Sequence, residues 1–82
     1  MTVMKYEKEL YNEAKVGEWL DCLFEDVDSG EQFLVERKKE EGETAVDFVN
    51  ACSQEALEYF ERVEFLRLMD NKEAEVLGYD TY

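Results

Sequence analysis

Residues 16–37 read VGEWLDCLFEDVDSGEQFLVER, and the fold turns on whether this stretch is a hairpin or a pair of helices. Leu20, Cys22 and Phe24 alternate with Asp21 and Glu25, which is the period of a half-buried strand. The run from Asp26 to Glu31 then supplies turn chemistry, and Phe33 and Val35 alternate with Leu34 and Glu36 beyond it. Together these segments predict a β-hairpin with its tip near Ser29 and Gly30. A helical alternative is also well formed. Val16, Trp19, Leu20, Leu23, Phe24 and Val27 share one helical face, and Ser29 with Gln32 makes a capping box for a second helix. The turn cluster sits symmetrically between two aromatic-rich runs, which favours the hairpin.

Downstream, Thr44 is an N-cap with Asp47 three residues on, near the positive end of the helix dipole. Ala45, Phe48, Val49, Cys52, Ala56, Tyr59 and Phe60 trace one face, predicting a helix over about 45–61. Val63 to Met69 suits a strand. Asp70 with Glu73, and then Leu77-Gly78-Tyr79, start and stop a short helix over 71–77. Upstream, Met4, Tyr6 and Leu10 fall at even spacing and predict a strand over 4–10, although Val3, Tyr6 and Leu10 also fit a helical face. The expected fold is α+β, a single domain over 1–82: a small antiparallel sheet packed on one main helix, with a short C-terminal helix. An all-α bundle is the alternative.

Of the 82 residues, 22 are Asp or Glu and 9 are Lys or Arg, a formal charge of −13, and His and Pro are absent. Without histidine there is no imidazole base, no Ser-His or Cys-His pair and no mixed Cys/His zinc site. Apolar residues make up 45%, too many for a disordered acidic tail. Cys22 and Cys52 lie 30 positions apart and read as reduced, buried thiols. Asp26, Asp28 and Gly30 resemble the start of a calcium loop. Counted from Asp26, however, Gly30 is fifth where the EF-hand needs its glycine sixth, and Arg37 stands twelfth where it needs a glutamate. Phosphate cradles are missing too. The expectations are therefore no catalysis, no metal and no cofactor. With no apolar run long enough to span a bilayer and no signal-peptide pattern, the expected location is cytoplasmic.

What remains is the charge. Glu55, Glu58 and Glu61 recur every three residues along the main helix, with Glu64 continuing the row, and neighbours at this spacing lie roughly 5–6 Å apart. Asp26, Asp28 and Glu31 on the turn, and Glu40, Glu41 and Glu43 before the helix, would extend the row if the fold brings them beside it. A solvated helix face is the plainer explanation of the row. In size and charge, though in no motif, the chain resembles phage-encoded anti-restriction and anti-CRISPR inhibitors that imitate DNA. That resemblance implies a decoy acting in the host cytoplasm. Its partner would be a nuclease or other nucleic-acid-binding protein with a basic groove, and it would not bind nucleic acid or membrane directly. The other reading is a cytosolic interaction module or small subunit with an apolar, aromatic contact face. For the tail, Tyr79 is expected to close the helix stop and Tyr82 to fray, an interface role being the alternative.

Overall fold

The computed structural model describes residues 3–82. The order is α1 (Lys5–Glu13), β1 (Trp19–Asp26), β2 (Gln32–Lys38), α2 (Ala45–Ala56), β3 (Val63–Asp70) and α3 (Asn71–Leu77). The strands form one antiparallel sheet in the order β2-β1-β3. This is the α+β fold, and the all-α alternative does not hold. The hairpin forms about the expected tip, where Asp26 accepts from the Asp28 N–H and the Ser29 hydroxyl. Gly30 there has φ +77°, a conformation costly for residues with a Cβ.

The sheet is covered on both faces. Leu20, Cys22, Phe24, Phe33, Val35 and Leu68 pack with Tyr11 of α1 and with Phe48, Val49 and Cys52 of α2. On the other face Leu23, Leu34 and Met69 pack under Ala74 of α3 and the half-buried Tyr79. The uninterrupted triplets Cys22-Leu23-Phe24 and Phe33-Leu34-Val35 serve this arrangement, since strands buried on both faces need apolar side chains in both directions. A bulge at Leu66 shifts the β1–β3 register between Leu23 and Phe24, so Phe65 and Leu68 point into the same cluster although three residues apart.

Residues 4–10 are not a strand. Met4 is the N-cap and residues 5–10 belong to α1, whose inward positions Glu7, Leu10 and Tyr11 are flanked by Val3 before the helix and Ala14 at its C-cap. A buried glutamate stands where an apolar residue would have shown the helical face. The carboxyl of Glu7 accepts from the Met4 N–H at 3.0 Å and, across the core, from the Leu68 N–H of β3 at 2.8 Å. Lys39 closes the far end of α1, donating to the Tyr11 and Ala14 carbonyls.

The main helix also ends earlier than its pattern predicts, at Ala56 rather than 61. A loosened turn carries the chain through Tyr59, and Phe60 then leaves to stack on Phe33 at 4.4 Å. Its start is as expected: Thr44 and Asp47 cap each other's backbone N–H. At the closing helix, Asp70 accepts from the Glu73 N–H, and Gly78 ends it at φ +70°. Tyr82 does not fray. Its N–H donates to the Leu34 carbonyl, the Leu34 N–H donates to Asp80, and its ring meets Phe33 and Phe60 edge-on. The tail thereby covers the outer edge of β2, and Glu7 covers part of the outer edge of β3. Edges covered in this way are protected against pairing with another chain.

Candidate anionic binding surface

The fold sorts the predicted acids to two ends of the sheet. Asp26, Asp28 and Glu31 lie at the hairpin tip. The start of β3 is tied to that tip by the Val27 N–H donating to Arg62 and by the Arg62–Asp28 ion pair. Asp26 stands opposite Val63 and Glu25 opposite Glu64, so like charges face each other across the β1–β3 pair. The C-terminal end of α2 reaches the same end of the sheet through Phe60 on Phe33, bringing Glu55, Glu58 and Glu61 with it. These three do not form a helical stripe. Glu55 sits half-buried in the last turn, Glu58 lies in the loosened turn, and Glu61 is in the connection to β3.

Glu40, Glu41 and Glu43 lie at the opposite end, beyond Lys38, roughly 20 Å away along β2. Glu43 is occupied internally. It holds Arg37 at 2.9 Å and accepts from the Glu40 N–H at 3.0 Å, while its carbonyl accepts the Tyr11 hydroxyl. Burial alone would raise its pKa, but the Glu40 N–H and the Arg37 guanidinium outweigh burial and hold it below the ordinary carboxylate value. Burial, reinforced by Glu43, pushes the Tyr11 phenol well up. This group therefore anchors the start of α2 to β2, and the predicted acids do not form one continuous array.

The cations are mostly engaged within the fold. Arg37 binds Glu43, Arg62 binds Asp28, Arg67 binds Glu73, Lys39 caps α1, and Lys38 lies over the Trp19 ring. Neutralisation is thus local, and the hairpin end keeps exposed carboxylates at Glu31, Glu58, Glu61 and Glu64. Beside them Tyr59 and Tyr82, 59% and 40% exposed, place their rings 5.4 Å apart.

Sequence reasoning missed a second acidic feature. Asp21 was the polar partner in the alternation of β1, yet it is 1% exposed because α3 covers that face. With Glu36 and Glu75 it lines a cavity of about 350 Å³ whose other walls include Leu34, Ala74 and Tyr79. Burial, then the charges of Glu36 and Asp70, push the Asp21 carboxyl up from an ordinary 3.8 to about 6.

Cys22 and Cys52 are free and buried, and burial pushes the Cys22 thiol up, against nucleophilic use. Among the described residues no group of three or more His, Cys, Asp or Glu is placed to hold a metal ion, and no helix is long and apolar enough to cross a membrane. No protein-family model, curated protein or solved structure matches the chain.

Proposed function

We propose that the chain is a small acidic binding protein that occupies the basic, nucleic-acid-binding groove of another protein and has no catalysis of its own. The observation that supports this reading is the clustering at the hairpin end, where Glu25 and Glu64 face each other among Asp26, Glu31, Glu58 and Glu61. Such a cluster opposes folding through self-repulsion, and a cationic groove relieves that repulsion on binding. It also steers the encounter and raises the association rate.

The test is capture from a cell lysate by the immobilised chain, with washes at roughly 50 and 500 mM NaCl. Nucleic-acid-binding proteins are expected to be retained at low salt and released at high salt. Combined substitution of the exposed Glu31, Glu58 and Glu64 by Gln keeps side-chain shape while removing charge. It should weaken binding of the captured protein at least tenfold, about 1.4 kcal/mol, and flatten its salt dependence. The adjoining Tyr59–Tyr82 pair favours a second reading, an aromatic contact face. Capture that survives high salt and the triple substitution, but is lost on Tyr59→Ala, would establish that reading instead.

A further inference from the structure

Asp21 is a buried carboxyl whose Oδ2 finds no hydrogen-bond donor among the described residues. Buried carboxylates are ordinarily paired, because an unpartnered charge in a low-dielectric site is costly. Oδ2 itself is closed to solvent, but the Asp21 residue borders the cavity between the sheet and α3, so a donor entering there meets the carboxyl once the side chain turns toward it. The lining is specific in character. Glu36 of β2 and Glu75 of α3 add carboxylates, Asn71 and Thr81 add neutral polar groups, and Leu34, Ala74 and Tyr79 add apolar and aromatic wall. Neither lysine nor arginine lines it, and the nearby Arg67 is turned to Glu73 and Tyr6.

The geometry points to a socket for an arginine side chain carried by the partner protein, with Asp21 as its anchor. This deepens the reading of the chain as a ligand for a basic groove, and rests on it. The carboxylates stand on three different elements and do not converge as metal ligands do. A planar guanidinium carries its charge over a wider area. It donates in several directions at once, sheds water more readily than an ammonium, and meets a carboxylate through two parallel hydrogen bonds. Its aliphatic stem suits Leu34 and Ala74, and its face suits the Tyr79 ring.

The full chain, labelled with nitrogen-15, is titrated with Nα-acetyl-arginine amide, which carries a protein-like backbone, and separately with agmatine, which does not. The expected result is saturable shifts at the Asp21, Ala74, Tyr79 and Thr81 amides with acetyl-arginine amide. Asp21→Asn should weaken that binding at least tenfold, Glu75→Gln should weaken it severalfold, and Glu13→Gln on α1 should leave it unchanged. The groups facing Asp21 are Glu36, Asp70, Glu75 and Tyr79, and its own carboxyl is neutral below about pH 6. Affinity should therefore rise from pH 5 to pH 7.5 in the parent and stay flatter in Asp21→Asn. Shifts that are unsaturable, or unaffected by Asp21→Asn, would overturn the socket. So would binding of agmatine alone, which would mark a site for a free small cation. An overturned socket beside salt-sensitive capture from lysate leaves the acidic-face reading standing, and a working socket without such capture refutes that reading alone.

Discussion

Replacing Glu7 with alanine is expected to destabilise the protein by about 2–4 kcal/mol, although Glu7 is remote from the acidic end and lies on a helix with few other buried residues. Its carboxyl accepts the Leu68 N–H across the core and the Met4 N–H at the start of α1. Alanine leaves the first of these buried without a partner and removes the cap from the second. In a domain of this size each kcal/mol moves the melting temperature by roughly 4–8 °C, so a loss of 10 °C or more should be seen. Glu7→Gln retains one acceptor oxygen and should recover part of the loss. Denaturant titration of the parent and both variants measures this directly. An alanine variant within 0.5 kcal/mol of the parent would mean that Glu7 does not hold α1 to the sheet.

Asp21→Asn should act in the opposite direction and stabilise the fold at pH 7.5, by about 1–2 kcal/mol. Between about pH 4 and 6 the folded carboxyl keeps a proton that the unfolded chain has released. The native state then binds more protons, and stability falls as pH rises through that window. The full effect of a shift from 3.8 to about 6 is on the order of 3 kcal/mol, complete above pH 6. Asparagine removes the charge but leaves a polar amide in the same place, hence the smaller net gain. Stability curves over pH 4–8 should slope downward in the parent and flatten in the variant. The depressed Glu43 adds its pH dependence only below about pH 4.5, so a parent curve that rises across pH 5–6 would show that Asp21 is not raised and would contradict this account.

Much of the fold was legible because local signals agreed with one another. Turn chemistry at Asp26–Gly30 stood between two alternating runs, Thr44 and Asp47 marked the start of α2, and Leu77-Gly78 marked the end of α3. Where the reading failed, a tertiary contact overrode the pattern. Glu7 is polar by type but buried by its partner on β3, so α1 was masked as a strand. Tyr59 and Phe60 continue a helical face in sequence, yet Phe60 is drawn off to Phe33, and α2 stops short. Spacing alone therefore built a glutamate row on a helix that had already ended. Asp21 was illegible for a related reason: alternation assigns one face to solvent, and nothing local says that α3 returns to cover it. The apolar triplets around Leu23 and Leu34 were the available sign of a second buried face.

The central claim is that this chain and nucleic acid compete for the same groove, and a displacement titration tests it most directly. A protein recovered by salt-sensitive capture is bound to a fluorescent oligonucleotide and titrated with the chain while anisotropy is followed. Because a charge of −13 repels phosphates, the chain alone should leave the anisotropy of the free oligonucleotide unchanged. With the captured protein present, the account predicts that anisotropy falls to the free value, and that more chain is needed when Glu31, Glu58 and Glu64 are replaced by Gln. Anisotropy that holds or climbs as the chain saturates its partner would show both ligands bound at once, and would contradict the account.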